Sequence, residues 1–485
     1  MTPLDVDVAI LGAGTAGLAA RRAALDHTRS LVVIDPGPLG TTCARVGCMP
    51  SKLLIAAAEA AHAIHDAPAF GVHAGGPPRI DGPAVMHRVR TERDRFVGFV
   101  TDAIDAWPDG QRLPGVARFL APGLLQVTSP DGAGTVQVRA RRVIIATGSR
   151  PRVPAPWKEA LGDRLLVNDD VFAWRDLPRS VAVLGAGVIA LELAQSLHRL
   201  GVRVRVYGRG GRIGPLTDPV LQAETARVMG AELTLRLDAD APVLQRDGAG
   251  IRVRVGEGAS RDDDAFDLAL CAVGRVPNVE SLDLAKAELP LDAHGVPRFD
   301  RRTGRVADTP VFIAGDVNDE VQLLHEAADD GRIAGDNAGR FPDVRVRPRR
   351  AGLAAVFTDP QMMIAGESHA HLRLRDARFA TGAVSFEDQG RSRVMRRNRG
   401  RLHVYGECDT GRFLGAEMIG PAAEHLAHLL AWSVQRGDTV QQMLDAPYYH
   451  PVVEEGLRTA LRELNAMLKM GPPPVERCLD CGPGG

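Results

Sequence analysis

The feature that most limits how this 485-residue chain can fold is a repeated pattern of apolar strand, glycine-rich turn and helix. Its first copy begins with the apolar run 8–11, continues with Gly12, Gly14 and Gly17, and is followed by a second apolar run that ends at Asp35. Glycines at this spacing let a pyrophosphate approach the backbone at a helix N-terminus, and an acid after the second strand can hold ribose hydroxyls. The pattern predicts a dinucleotide-binding fold.

A second copy of the pattern starts at the apolar run 181–184 and has Gly185, Gly187 and Ala190 at the same spacing. Each copy stands in the full context of strand, turn and helix that gives such a fingerprint its meaning. Two copies in one chain predict two bound nucleotides, and we expect one of them to be a flavin.

The two copies differ at the position that selects the nucleotide. Gly208 stands where Asp35 stands in the first copy, and Arg209 and Arg212 follow it. A missing carboxylate with arginines nearby suits a ribose 2′-phosphate, so the sequence favours NADPH over NADH. Because nearly all the cations of this chain are arginines, the alternative is that Arg209 and Arg212 belong to an ordinary solvated loop.

A pair of cysteines, Cys43 and Cys48, follows the first copy with four residues between them. Thiols this close to a cofactor-binding strand can take two electrons from a flavin and pass them to another disulfide by thiol exchange. A helix that starts here also favours a thiolate. The alternative is a pair of buried free cysteines or a plain stabilising bridge.

Charge and cysteine content limit which classes of partner and which cellular compartment suit this chain. The formal net charge is -1, without a basic block that would suggest nucleic acid. The apolar stretch near the start is interrupted by its glycines and has no cationic leader, so we expect neither a signal peptide nor a membrane span. Six cysteines are too few for a secreted disulfide scaffold of this length, which favours the cytoplasm.

With these motifs in this order, the chain resembles the class I pyridine nucleotide-disulfide oxidoreductases, the family of dihydrolipoamide dehydrogenase, glutathione reductase and mercuric reductase. The cysteine segment matches the family pattern Gly-Gly-x-Cys-x4-Cys-x-Pro, except that Thr41 replaces the second glycine and Arg45 stands where many members have Asn. Further matches are found at residues 144–148, 272–278, 312–316, 324–327 and 448–455. The Val-Ile form of the second fingerprint and the His-Pro motif make dihydrolipoamide dehydrogenase the nearest resemblance.

The resemblance implies an α/β fold with two Rossmann-like dinucleotide-binding domains, for FAD and NAD(P), and a C-terminal α+β dimerisation domain. The segment 357–360 (Phe-Thr-Asp-Pro) looks like the start of that last domain. The expected divisions of the chain are an FAD domain at 1–150 with the redox disulfide, an NAD(P) domain at 151–278, a second part of the FAD domain at 279–345, a dimerisation domain at 346–470 and a flexible tail at 471–485.

The resemblance also implies roles around the flavin. Cys48 is the thiol nearer the flavin, and Cys43 is the thiol that attacks the substrate. Lys52 pairs with Glu192 beside the reactive flavin nitrogen, and a lysine kept in so arginine-rich a chain supports a specific need. The alternative for Lys52 is an exposed helical lysine. Other cofactor contacts implied are Thr42, Thr147, Gly148, Gly274, Asp316 and Ala327, together with Lys52 and the fingerprint residues.

Near the end of the chain, His450 and Glu455 match the family motif His-Pro-x-x-x-Glu. A histidine can take the proton of the attacking thiol and return it to the leaving sulfur, while a glutamate fixes its tautomer. A lone histidine of this kind would otherwise serve in packing. In the family this histidine comes from the partner subunit, so the resemblance implies a homodimer with shared active sites.

The expected activity is electron transfer between NAD(P)(H), FAD, the Cys43–Cys48 disulfide and a small dithiol, lipoyl-type or protein disulfide, with no metal site. The alternatives are an NADPH-dependent disulfide reductase or a metal-ion reductase. The latter is suggested by Cys478 and Cys481 in the tail, which could be a redox relay, half of a zinc site or inert. A transhydrogenase or flavin electron carrier on this scaffold would lack the Cys43–Cys48 pair.

Overall fold

The computed structural model describes residues 3–73, 75–239, 242–256 and 262–468. The strands in chain order are β1 Leu4–Leu11, β2 Leu31–Asp35, β3 Arg112–Pro114, β4 Val116–Ala121, β5 Leu124–Thr128, β6 Thr135–Ile145, β7 Ser149–Pro151, β8 Leu165–Leu166, β9 Ser180–Leu184, β10 Arg203–Tyr207, β11 Thr234–Arg236, β12 Val243–Asp247, β13 Gly250–Val255, β14 Asp262–Phe266, β15 Leu268–Cys271, β16 Arg275–Pro277, β17 Val311–Ile313, β18 Leu353–Val356, β19 Gln361–Gly366, β20 Phe379–Ser385, β21 Arg401–Glu407 and β22 Phe413–Gly420.

The helices in chain order are α1 Thr15–Ala24, α2 Thr42–Val46, α3 Cys48–Asp66, α4 Gly82–Asp105, α5 Ala155–Leu161, α6 Asn168–Val171, α7 Val188–Arg199, α8 Pro219–Gly230, α9 Leu324–Arg340, α10 His369–Leu374, α11 Gly390–Val394, α12 Ala423–Arg436, α13 Val440–Leu444 and α14 Glu454–Leu468. None of the helices in the described part of the chain is long and apolar enough to cross a membrane.

The first sheet contains the first fingerprint and has the order β3-β2-β1-β6-β5-β4, with β17 paired to β6. The pairs of β1 with β2 and of β1 with β6 are parallel, and residues 8–11 are almost completely buried. Strands of a parallel sheet are covered on both faces, which is why this run is uniformly apolar. Because β17 and α9 return to this sheet from residues 311–340, the unit is assembled from two separate parts of the chain.

The second sheet contains the second fingerprint and has the order β11-β10-β9-β15-β8. Its neighbours pair in parallel, and α7 follows β9 directly through the glycine turn. A small antiparallel sheet, β12-β13-β14, adjoins it. Both fingerprints are therefore at the carboxyl end of a central parallel strand, which is where such sheets bind nucleotides.

The third sheet is antiparallel, with the order β18-β19-β22-β21-β20, and packs against α12 and α14. Its core is formed by residues of both helices and of the inner strands. Two buried carboxylates join it to the second unit. Glu417 accepts hydrogen bonds from the Thr217 amide at 2.5 Å and hydroxyl at 2.6 Å, and Asp218 contacts His403 Nδ1 at 2.8 Å. These bonds fix the third sheet against the start of α8.

Candidate active site

A cavity of about 440 Å³ lies where the first sheet, α3, α7 and β18 meet. Its walls come from segments more than 300 residues apart in the sequence, and they include nine residues predicted to act on or bind a cofactor. These are Gly14, Thr42, Cys43, Cys48, Lys52, Gly148, Glu192, Asp316 and Ala327. The fold therefore gathers the first fingerprint, the cysteine pair and the second fingerprint helix around one space.

The cysteine pair spans the turn between α2 and α3. Thr41 caps α2, and its hydroxyl accepts a hydrogen bond from the Ala44 amide at 3.2 Å. Thr41 has a φ of 60°, a left-handed conformation that costs a threonine more than a glycine. The position where this chain departs from the family's second glycine thus keeps the backbone shape that a glycine favours. Cys48 is the first residue of α3, so its sulfur lies at the positive end of that helix.

The two sulfurs carry unequal charge. Both residues are free thiols, and they are hydrogen-bonded to each other. The bond from Cys43, together with the nearby Lys52 ammonium, lowers the pKa of Cys48 to about 6, against the opposing effects of burial and Glu192. The same bond and burial raise the pKa of Cys43 far above its usual range. The proton of the pair therefore resides on Cys43, and Cys48 is the thiolate.

Lys52 lies one helical turn after Cys48 and is paired with Glu192 of α7. The Lys52 Nζ is 3.0 and 2.8 Å from the two carboxylate oxygens of Glu192, whose side chain is only 6% exposed. The carboxylate also accepts a hydrogen bond from the Phe357 amide at 2.9 Å, and the Phe357 ring lies 4.5 Å from Nζ. A cation is thus fixed at the cavity wall between a carboxylate and an aromatic face.

The first fingerprint has the shape that a dinucleotide requires. A side chain at Gly12 would meet the Ala146 carbonyl at 2.3 Å, and one at Gly17 would meet the Gly12 carbonyl at 1.9 Å, whereas Gly14 has open space. The Asp35 carboxylate accepts hydrogen bonds from the Ala13 amide at 2.6 Å and the Gly37 amide at 2.7 Å. The turn is therefore fixed by contacts with Ala146 and Asp35, while the backbone at Gly14 stays accessible to a ligand in the cavity.

Other groups on the cavity wall also suit a bound flavin nucleotide. The buried His325 Nε2 has no hydrogen-bond partner among the described residues, which leaves a polar atom for a ligand. Asp316 accepts a hydrogen bond from Ser149 at 2.9 Å, which orients its carboxylate. Thr147 is bound to Asn278 through its hydroxyl and its carbonyl, at 2.7 and 2.9 Å, which fixes the turn before Gly148. The residues present fit FAD.

The second fingerprint repeats this geometry. A side chain at Gly185 would meet the Ala272 carbonyl at 2.3 Å, whereas Gly187 and Gly274 have open space, and Ala190 is buried. At the end of β10, Arg209 and Arg212 are exposed, and neither has an ion pair within the described residues. These two guanidinium groups are therefore available to an anion at the position that lacks a carboxylate.

His450 and Glu455 form a dyad away from the cavity. His450 Nδ1 is 2.8 Å from Glu455 Oε1, and the His450 side chain is 72% exposed while that of Glu455 is 5% exposed. The Val452 amide donates to the other Glu455 oxygen at 3.2 Å. His450 is not part of the lining of the cysteine cavity in its own chain. The exposed Trp432 and Tyr449 border a second cavity, of about 450 Å³, beside the dyad.

Some cavity residues were not predicted as site residues. Those with polar or aromatic side chains include Asn168, Phe172, Arg275, Phe357 and His428. Two of these lie in segments that the sequence analysis assigned to other roles: Arg275 in the matched segment 272–278, and Phe357 at the start of the last domain. The other three have no recognisable motif in the sequence. Cys478 and Cys481 lie outside the described residues. Within the described ranges, no group of three or more His, Cys, Asp or Glu side chains is placed to hold a metal ion.

Comparison with known proteins agrees with this geometry. Residues 6–331 match the pyridine nucleotide-disulphide oxidoreductase family, and residues 353–461 match the dimerisation domain of that family. The chain is 31% identical to a mercuric reductase of Streptomyces lividans, over 94% of this chain and 95% of the relative. It is 28% identical to dihydrolipoyl dehydrogenase 2 of Haloarcula marismortui, with the same shares of the two chains covered.

Solved structures give the same fold. LpdA from Mycobacterium tuberculosis superposes with a TM-score of 0.79 at 27% identity, over 95% of this chain and 99% of that chain. The HOCl-induced flavoprotein disulfide reductase RclA from Escherichia coli superposes with a TM-score of 0.78 over the same shares, but its 20% identity supports the fold alone. The predicted α/β class, with two dinucleotide-binding units and a C-terminal α+β domain, is confirmed. The chain belongs to the pyridine nucleotide-disulphide oxidoreductase family, whose members use FAD and pyridine nucleotides.

Proposed function

We propose that this enzyme moves electrons between NAD(P)(H), FAD, the Cys43–Cys48 pair and a small dithiol or disulfide, in the manner of a dihydrolipoyl dehydrogenase. The observation that carries this proposal is the unequal thiol pair, which lines the same cavity as the first fingerprint and the Lys52–Glu192 pair. We also propose that the domain boundaries are those predicted from the sequence. The proposed compartment is the cytoplasm, because thiols that act in turnover need a reducing environment.

Each group around the cavity has a role in this proposal. Bound there, FAD would exchange a hydride with the nicotinamide and an electron pair with the nearer sulfur. The backbone at Gly12 and Gly14 would hold its pyrophosphate, Asp35 its ribose and Asp316 its ribityl chain. The Lys52 ammonium stabilises negative charge that develops beside it, since it is fixed in a partly buried wall.

The thiol chemistry follows from where the proton resides. For Cys43 to attack a disulfide, His450 of the partner subunit takes its proton, and the new bond joins the Cys43 sulfur to one half of the substrate. The other half leaves as a thiolate and receives the proton from the partner's His450. The Cys48 thiolate then attacks the Cys43 sulfur, which closes the Cys43–Cys48 disulfide and releases the second half of the substrate as a thiolate that takes its proton from solvent. The reverse sequence oxidises a dithiol.

The position of the dyad supports a homodimer with shared active sites. His450 is exposed and lies outside the cysteine cavity of its own chain, while Glu455 holds its ring from a buried position. We infer that in a twofold dimer each dyad completes the cysteine cavity of the other subunit. The exposed Trp432 and Tyr449 beside it provide the apolar surface that such an interface buries.

NADPH is the proposed nucleotide. Arg209 and Arg212, which have no ion pair among the described residues, follow β10 at the selector position, where Gly208 offers no carboxylate to a ribose hydroxyl. Physiological turnover driven by NADPH would run in the direction of disulfide reduction.

A second candidate is reduction of a metal ion, because mercuric reductases are among the similar proteins and the tail contains Cys478 and Cys481. The His450–Glu455 dyad favours disulfide chemistry, since proton transfer between thiols needs such a base.

One set of assays tests both candidates. Oxidation of NADPH and of NADH is measured with lipoamide and with Hg(II), for wild type, Cys43→Ser and a variant truncated after residue 470. We expect lipoamide reduction that is lost in Cys43→Ser and kept in the truncated form. Hg(II)-dependent oxidation that requires the tail, without lipoamide reduction, would replace the proposal by metal-ion reduction.

A further inference from the structure

Phe357 contacts the Lys52–Glu192 pair at the cavity wall in two ways, through its ring and through its backbone. Its ring face lies 4.5 Å from the Lys52 Nζ, a distance typical of a cation–π interaction. Its backbone amide donates a hydrogen bond to Glu192 Oε1 at 2.9 Å. One residue, which follows β18 of the third sheet directly, therefore contacts both members of a pair that is built from α3 and α7.

The backbone of Phe357 is itself held by one face of α7. Gln195 and Arg199 follow Glu192 at positions three and seven along that helix, so the three side chains lie on the same side. Gln195 exchanges two hydrogen bonds of 2.8 Å with the backbone of Asp359, and Arg199 binds the Asp359 carboxylate at 3.2 Å. The backbone is thus anchored to α7 at Phe357 and at Asp359, which limits where the Phe357 ring can lie.

The ring contact does something that Glu192 alone cannot do. A carboxylate draws an ammonium toward itself and cancels much of its field, whereas an aromatic face holds a cation without a counter-charge. Cys48 lies one turn before Lys52 on the same helix face, so an ammonium that the ring keeps from moving further toward Glu192 still acts on the Cys48 sulfur. We propose that Phe357 is a positioning residue, which fixes the Lys52 ammonium between Glu192 and Cys48.

The charged and titratable groups that act on Cys48 are known from its surroundings. Cys43 and Lys52 stabilise the Cys48 thiolate, and Glu192 opposes it. If the ring is removed, the Lys52 ammonium can move toward Glu192 or solvent. The Cys48 thiolate then loses part of its stabilisation, and its protonated form is favoured. We expect a rise of about half a unit in the pKa of Cys48, equivalent to about a threefold loss of thiolate at pH values below it.

The test measures the Cys48 thiol directly. Holoenzyme variants in a Cys43→Ser background are alkylated with iodoacetamide over a range of pH, and the rate at Cys48 is read by mass spectrometry of its peptide. The set contains the background protein, Lys52→Gln, Phe357→Leu, Phe357→Tyr and, as a matched control, Phe413→Leu, which alters a buried phenylalanine of the third sheet.

We expect the pH midpoint to rise in Lys52→Gln and, by a smaller amount, in Phe357→Leu, and to stay in place in Phe357→Tyr and Phe413→Leu. A midpoint in Phe357→Leu equal to that of the background overturns the inference, as does an equal rise in Phe413→Leu or no rise in Lys52→Gln. The inference deepens the proposed function and rests on it. The inference and the proposed function can fail separately, because alkylation of Cys48 needs no turnover. Even if the enzyme reduces no disulfide, the alkylation rate still shows whether Lys52 stabilises the Cys48 thiolate.

Discussion

At the scale of single residues, the surroundings of Cys43 and Cys48 determine which of the two sulfurs is the thiolate. Spacing in the sequence indicates a redox pair but treats its two cysteines alike. The structure distinguishes them, because Cys48 starts α3 and accepts a hydrogen bond from Cys43, with Lys52 one turn away. The thiolate is therefore Cys48, and in the proposed reaction Cys43 needs a base before it can attack.

The pH dependence of the reduced enzyme follows from this difference. Because the pKa of Cys48 is lowered to about 6, its thiolate is present above that pH and becomes protonated as the pH falls through it. Long-wavelength absorbance from the thiolate beside the flavin should persist at pH 7 and disappear with a midpoint near pH 6. A midpoint near pH 8.5, about the value of an unperturbed thiol, would show that Cys48 is not stabilised as described.

At the scale of elements, the first sheet depends on how closely α9 crosses α1. A side chain added at Gly331 would meet the Ala16 carbonyl at 2.2 Å, and one at Gly335 would meet the Ala20 carbonyl at 2.2 Å. Since α9 comes from the later part of the chain, this contact holds the two parts of the unit together. Glycines recur every four residues along α9, at 331, 335 and 339, and this pattern was not used in the sequence analysis to predict the crossing.

Substitution of Gly335 tests this contact. We expect Gly335→Ala to destabilise the protein by about 1–3 kcal/mol, because the added methyl group meets backbone that cannot move away alone. Gly98→Ala is the matched control, since Gly98 lies within α4 with open space around it, and alanine there should stabilise by about 0.5–1 kcal/mol. Thermal unfolding of both variants gives the comparison, and equal effects would contradict the account of the crossing.

The loop after β10 has its own prediction. In Arg209→Gln/Arg212→Gln, kcat/KM for NADPH should fall by about tenfold or more while the value for NADH changes little, because the proposed contacts of the two guanidinium groups with the 2′-phosphate are lost. Arg22→Gln, which alters an exposed arginine on α1, is the control. Equal losses with both nucleotides would mean that these arginines do not select the cofactor.

At the scale of the whole molecule, the sequence predicts the individual domains better than the contacts between them. Glycine turns and uniformly apolar strands are local requirements of nucleotide binding, so both fingerprints and the fold class could be inferred. Thr41 was recognised as a departure from the family pattern, but its positive φ is visible only in the structure. Phe357 was missed because its partners, Lys52 and Glu192, lie on two other units, and contact between units depends on packing over long distances in sequence.

The proposed sharing of active sites can be tested by mixing two inactive variants. Cys43→Ser lacks the attacking thiol, and His450→Gln lacks the base, which should cost about 10²–10⁴-fold in disulfide reduction. After unfolding and joint refolding of equal amounts, half of the dimers contain one intact site of two, so about a quarter of wild-type activity should return. If the mixture stays as inactive as its parents, each site is complete within one chain.

The central claim is that electrons pass between the flavin and the Cys43–Cys48 pair, and an anaerobic titration of the purified enzyme with NADPH and, separately, with NADH tests it most directly. The account predicts long-wavelength thiolate-to-flavin absorbance after two electrons, its loss in Cys48→Ser, and faster reduction by NADPH. Direct bleaching of the flavin without that absorbance would contradict the account, because it would show that the cysteines are not in electronic contact with the flavin.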